Sequence, residues 1–175
     1  MRKNLVLLGM MGVGKSALGK IVAKKQGLIF IDTDLGIEKK YSMKISEIFK
    51  NKGESFFRQQ EEKEVLESVK KKDCIIVLGG GAFMNKIVRD TILKKSISIW
   101  LDINLKTLSK RTKWSNKRPL LLGKNNQIKI NKLYAQRKNI YKLAQHKINC
   151  NNLSKESIVK KIITFYDKQQ INYQN

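Results

Sequence analysis

No stretch of the 175-residue chain approaches the roughly 18 consecutive apolar residues of a membrane-spanning helix, so no membrane partner is expected. Cysteine is scarce. Cys74 and Cys150 share no metal-type spacing and lie in apolar or strand-like contexts, which reads as two reduced core cysteines of a cytoplasmic protein. The only histidine, His146, has no evident partner in the sequence and is assigned no role. No repeat, low-complexity segment or Pro/Gly-rich linker divides the chain, so residues 1–175 are read as one domain. The opening M-R-K-N runs straight into an apolar segment, which is read as leaving no room for a signal peptide.

Acidic residues are few as well, 14 against 37 basic ones, for a formal charge of +23. The basic set is 31 Lys and only six Arg: Arg2, Arg58, Arg89, Arg111, Arg118 and Arg137. Lysine pairs recur along the whole length, as at Lys24-Lys25, Lys39-Lys40, Lys94-Lys95 and Lys160-Lys161. A nucleic-acid reader instead gathers its charge on one face and interleaves Arg with aromatics. The charge is therefore read as a solvated lysine surface that attracts polyanions weakly, with no specific nucleic-acid partner. With lysine as the default cation, each Arg becomes the sharper signal, because its guanidinium grips carboxylate or phosphate in a fixed, bidentate way.

What is present is organised as strands alternating with helices. Short apolar runs predict strands at Leu5–Leu8, Leu28–Ile31, Cys74–Leu78 and Ile97–Leu101, with a weaker, more polar one at Lys147–Cys150. Helical spacing falls between them, at Ala17–Gln26, Leu35–Tyr41, Ile45–Asn51, Phe56–Lys71, Lys86–Lys94, Leu105–Lys113, Gln127–Ala144 and Ser154–Gln169. Asn152 or Ser154 is expected to cap the last of these, and the polar tail from Tyr166 to Asn175 is expected to fray. This alternation predicts an α/β fold, a three-layer α/β/α sandwich around a five-stranded parallel sheet. Ligands of such folds bind at the carboxyl ends of the strands.

Residues Gly9 to Ser16, G-M-M-G-V-G-K-S, fit the phosphate-loop pattern G-x-x-x-x-G-K-[ST] and fall between the first strand and the first helix. There the glycines let the backbone wrap a phosphate at a helix N-terminus. Lys15 is placed to reach the β- and γ-phosphates and Ser16 to ligate Mg²⁺, with Gly12, Val13, Gly14 and Ala17 completing the nucleotide contacts. The second strand ends in Asp32-Thr33-Asp34, a carboxylate pair suited to metal handling at Asp32 and base work at Asp34, or simply to capping a helix. The third ends in Gly79-Gly80-Gly81, read as a floor under a small substrate or as a tight turn. Arg58 is either a carboxylate clamp or the partner of Glu61 or Glu62 on its own helix. Lys117-Arg118-Pro119 lies in a polar segment that reads as a lid over the nucleotide.

Together these motifs resemble shikimate kinase. The resemblance runs from Lys3 to about Ile163 and rests on G-M-M-G-V-G-K-S, I-D-T-D, G-E-S-F-F-R with E-E, V-L-G-G-G-A, K-R-T, R-P-L-L and Y-A-Q-R-K-N-I-Y. It implies a nucleoside-monophosphate-kinase-like P-loop fold with a substrate-binding helical segment at about 33–61 and a mobile lid at about 114–126. It implies transfer from ATP, with Mg²⁺, to the 3-hydroxyl of shikimate by a monomer. Carried onto matching positions, Lys15 grips phosphate, Ser16 and Asp32 serve the metal, and Asp34 is the base. Arg58 and Arg137 pair with the substrate carboxylate, Gly79, Gly80 and Gly81 line its pocket, Arg118 is the lid arginine, and Arg111 lies near the adenine. Family members often carry an Arg or Pro in the loop after the last strand. Here that loop, Asn149 to Lys155, has neither. The rival readings are a kinase for another small acid such as gluconate, a nucleoside monophosphate kinase, or a basic nucleic-acid-binding protein that keeps the fold.

Overall fold

Leu5 to Leu8 are apolar at every position because their strand has no solvent face. In the computed structural model, which describes residues 2–112 and 126–174, β1 (Asn4–Leu8) is buried throughout. It pairs in parallel with β3 (Cys74–Val77) on one side and β4 (Ser96–Asp102) on the other. Fully burying each such leucine contributes about 1.5–3 kcal/mol. The outer positions go to β2 (Ile29–Asp32) and β5 (His146–Asn149), giving the order β2-β3-β1-β4-β5. The edge strands are the less buried ones: β2 has no fully buried residue and exposes Ile29, and β5 buries only Ile148. All pairings are parallel, so the loops after β1, β2 and β3 emerge at the same end of the sheet.

Helices α1 (Lys15–Gln26) and α7 (Lys155–Gln174) pack together on the sheet, while α3 (Ile45–Lys70) packs on α4 (Lys86–Lys95). Both layers feed one core, with Leu18 and Val22 from α1, Ile162 and Tyr166 from α7, and Val65 and Val69 from α3. The helix pair α2 (Thr33–Tyr41) and α3 also holds a separate small cluster of Ile37, Ile48 and Phe57. The two helices expected around Asn51 and Phe56 abut as α3, broken at Gly53, whose φ of 83° is outside the helical region. A single 3₁₀ turn (Ala82–Met84) precedes α4, and α5 (Leu105–Thr112) and α6 (Asn126–Tyr141) complete the chain.

One expectation is corrected. The C-terminal segment does not fray at Tyr166, because α7 continues to Gln174. Tyr166 is buried, and its hydroxyl donates to the Lys3 carbonyl at 2.8 Å. Gln170, one turn on, donates to the same carbonyl and accepts from the Lys3 N–H. The polar side chains that suggested a frayed tail thus tie the last helix to the start of β1. Ser154 caps α7, its Oγ accepting from Ser157 N at 3.1 Å. Cys74 and Cys150 are free and buried, and His146 stacks on Phe165 with ring centroids 4.0 Å apart. Among the described residues no helix is long and apolar enough to cross a membrane.

Candidate active site

The loop from Gly9 to Gly14 leaves the carboxyl end of β1 and turns directly into α1. Its three glycines all have positive φ: 136° at Gly9, 87° at Gly12 and 104° at Gly14. Gly9 is doubly constrained, since a Cβ there would collide with the Leu101 carbonyl on β4. The loop frames a cavity of about 320 Å³ lined by Gly12, Gly14, Lys15, Ser16, Ala17, Asp32, Asp34 and Arg111, among others. Val13 lies in the loop but turns its side chain into the core, away from the cavity. Lys15 is buried, and its ammonium donates to the carbonyls of Gly9 at 2.8 Å and Met10 at 3.2 Å. Arg111, on α5, donates to the Val13 carbonyl at 3.4 Å and so ties that helix to the loop.

The Asp32-Thr33-Asp34 turn serves capping and site construction together. Asp32 Oδ1 accepts from the N–H groups of Asp34 and Leu35 and caps α2, while its Oδ2 accepts from the Ser16 hydroxyl at 2.6 Å. Two hard oxygen donors therefore lie side by side in the phosphate-loop cavity, a set that suits Mg²⁺. Among the described residues no cluster of three or more His, Cys, Asp or Glu is placed to hold a metal. Thr33 is fully buried. Its hydroxyl donates to Val77 O and accepts from Gly79 N, both at 3.2 Å, joining the ends of β2 and β3.

Beside this lies a second cavity of about 350 Å³, whose walls include Asp34, Phe49, Phe57, Arg58, Glu61, Gly80, Gly81 and Arg137. The two cavities meet at Met11, Ser16, Asp32, Asp34 and Gly80, which line both. Asp34 Oδ1 is buried without a hydrogen-bond partner. Burial, together with the nearby Glu61 and Asp32 carboxylates, pushes the Asp34 carboxyl up to about 7. Arg58 is held by its own helix, Nη1 donating to Glu61 at 2.5 Å and Nη2 to Glu54 at 3.0 Å. Its guanidinium also lies over the Phe57 ring, 5.2 Å from the centroid. Burial lowers the Arg58 pKa, but the Glu61 and Glu54 carboxylates outweigh it and the net shift is upward. Glu61 is itself buried and shifted upward by desolvation, against the pull of Arg58. The other expected partner, Glu62, instead accepts from Asn85.

The three glycines after β3 have a reason beyond a turn. Charged side chains lean directly on their backbone: a Cβ at Gly79 would collide with the carboxylates of Asp34 and Glu61, and one at Gly81 with the Arg58 guanidinium. Gly80 and Gly81 line the second cavity, whereas Gly79 is buried beneath the two carboxylates and lines neither. Arg137 comes from α6, is buried, and donates to the Gly80 carbonyl at 3.0 Å. The expected lid, with Arg118, lies outside the described residues. In the loop after β5, the Asn151 side chain accepts from the Asn104 N–H at 2.8 Å and its own N–H donates to the Asn149 side chain.

Sequence reasoning brings Asp34, Arg58, Gly80, Gly81 and Arg137 to this wall, but names Glu61 only as an alternative partner for Arg58. It misses Phe49 and Phe57 on this wall and Thr33 behind it. The available signal for Glu61 is its i,i+3 spacing from Arg58.

Residues 11–167 match the family described as Shikimate kinase. A shikimate kinase of Sulfurihydrogenibium sp. (strain YO3AOP1) is 41% identical over 162 residues, covering 93% of this chain and 96% of that protein. The structure of shikimate kinase from Acinetobacter baumannii in complex with shikimate superposes with a TM-score of 0.93 at 29% identity, over 97% of this chain and 96% of that one. A gluconokinase from Sinorhizobium meliloti 1021 shares the fold alone, at a TM-score of 0.63 and 12% identity over 99% of this chain and 98% of its own. The phosphate loop from Met11 on, the Asp32-Thr33-Asp34 turn and the arginine-walled cavity lie inside the matched span, and the chain belongs to the shikimate kinase family.

Proposed function

We propose that the protein transfers the γ-phosphoryl group of ATP to the 3-hydroxyl of shikimate, giving shikimate 3-phosphate and ADP. The observation that carries this reading is the junction of the two cavities at Asp34. One cavity is built by a phosphate loop, and the other offers two arginines to a small acid.

In this reading Arg58 and Arg137 pair with the shikimate carboxylate, and Gly80 and Gly81 let the ring approach the backbone. Asp34 orients the acceptor hydroxyl and takes its proton as the oxygen–phosphorus bond forms and the bond to ADP breaks. Its elevated pKa makes it a better proton acceptor once ionised. Lys15 leaves the loop carbonyls to neutralise charge on the phosphates, and the backbone N–H groups at the start of α1 do the same without reorganisation. Ser16 and Asp32 would hold Mg²⁺, which would supply positive charge to neutralise the phosphates. Arg118 and a lid at 114–126 are proposed from the family resemblance to add charge and exclude water. The working form is proposed as a cytoplasmic monomer with no specific nucleic-acid partner.

Incubation with MgATP and shikimate tests the reading, with the product followed by ³¹P and ¹H NMR. A phosphate monoester coupled to the proton at carbon 3 is expected. ADP formation without a phosphorylated acid, or phosphorylation at another hydroxyl, contradicts it.

A further inference from the structure

Tyr141 has been given no part in the site, yet it touches both halves of it. It lies on α6 one turn beyond Arg137 and is buried. Its hydroxyl donates to the Gly80 carbonyl, the same oxygen that accepts from Arg137 Nη1 at 3.0 Å. Met10 Sδ of the phosphate loop is 3.9 Å from that hydroxyl, and the ring packs on Trp100 of β4 at a centroid distance of 5.9 Å. Burial pushes the phenol up to about 12, against the nearby Arg137, so the group remains a hydrogen-bond donor at neutral pH.

A carbonyl oxygen has two lone pairs, and α6 fills both at Gly80. The Gly80–Gly81 peptide is trans, so its N–H points away from the oxygen that α6 holds. Glycine has no side chain to fix the plane of such a peptide. Gly80 and Gly81 both line the acceptor cavity, so the tilt of this one peptide sets what the backbone offers a ligand. The same shared oxygen aligns the guanidinium of Arg137, which itself lines the acceptor cavity.

We infer that Tyr141 is a positioning residue for the acid group of the acceptor: its hydroxyl locks the Gly80–Gly81 peptide and, through the shared carbonyl, the Arg137 guanidinium. The inference rests on the proposed substrate. A tyrosine that only filled the core would act through its ring against Trp100, and the hydroxyl would be dispensable.

Tyr141→Phe keeps the ring and removes the hydroxyl. Shikimate Kd by calorimetry and shikimate KM are expected to rise about tenfold, the loss of one buried hydrogen bond, while kcat and the KM for MgATP change by less than about twofold. An unchanged shikimate KM overturns the inference, as does a parallel rise in the MgATP KM, which marks general loosening. Arg137→Lys, combined with Tyr141→Phe in a double-mutant cycle, should show non-additive losses in shikimate binding, and additive losses count against the shared carbonyl. Should Tyr141→Phe not fold, ¹⁵N-labelled wild type carries the test. Its Gly81 amide resonance should shift on addition of shikimate, and an unmoved resonance overturns the role. Wild-type protein that binds no shikimate removes the substrate assignment, and this role for Tyr141 falls with it.

Discussion

At the phosphate end of the cleft one continuous stretch, Gly9 to Ser16, supplies most of the groups that face a ligand. At the acceptor end Asp34, Arg58, Gly80 and Arg137 arrive from α2, α3, the loop after β3 and α6. The phosphate end is built on a loop of positive-φ glycines, and the ammonium it buries, Lys15, is met by that loop's own carbonyls. The acceptor end buries carboxylates and guanidiniums together: Arg58 offsets part of the desolvation of Glu61, while Asp34 is left strained. Glu61 shows this most clearly: it holds Arg58 at 2.5 Å while its charge raises Asp34. Local geometry therefore secures one end and mutual electrostatics the other, so substitutions at the two ends should fail differently.

The largest effect is expected at the junction. Asp34→Asn should lower kcat by ~10²-fold or more while shikimate still binds, because the amide keeps the shape and loses the base. Near wild-type turnover would remove Asp34 as the base. The same variant has an opposite consequence for stability. Asp34 has its folded pKa raised from 3.8 to about 7, so its contribution to stability is fully present below the lower value and lost as pH rises through the upper one. Asp34→Asn should therefore gain in Tm over wild type between pH 4 and pH 8, as read by calorimetry. A gain that does not grow with pH would mean the carboxylate is not strained by its surroundings.

Next in size is Arg58→Ala, which should raise the shikimate KM by roughly 10–100-fold, the range for losing hydrogen bonds from a charged group, and change kcat less. If KM stays put, the acid is gripped elsewhere and the acceptor end is wrongly drawn. A smaller effect is expected in the pH profile. At low MgATP, kcat/KM for shikimate should fall as pH drops below about 7, where the Asp34 carboxylate takes up its proton. Glu61→Gln should move that acid limb to lower pH, since one of the charges that raises Asp34 is gone. An unmoved limb would separate the two carboxylates. Smallest is Thr33→Val, which keeps the shape and removes the bridge between Val77 O and Gly79 N. A stability loss of about 1–3 kcal/mol is expected, and Thr33→Ser should restore most of it.

The same contrast explains what is legible in the sequence. The phosphate loop is eight adjacent residues with a fixed spacing, so its strand–turn–helix setting and its glycine geometry follow from residue order alone. Asp32 is legible only as a choice between a helix cap and a metal ligand, and the fold uses one carboxylate oxygen for each. The acceptor end depends on contacts between residues far apart: Thr33 with Val77 over 44 positions, Arg137 with Gly80 over 57, and Tyr141 with Gly80 over 61. Scarce arginines mark some of these places because lysine is the background cation. Thr33 and Tyr141 carry no such contrast. Tyr166 and Gln170 mislead for the same reason, since their partner is Lys3, over 160 positions away.

The central claim is that one end handles phosphate while the other recognises a small carboxylic acid. The most direct measurement is MgATP-dependent ADP release compared across shikimate, methyl shikimate, gluconate and a nucleoside monophosphate. With two arginines committed to the acid group, kcat/KM for shikimate should exceed that for each of the others by about 100-fold or more. Comparable turnover with the uncharged ester, with gluconate or with the nucleotide would contradict it.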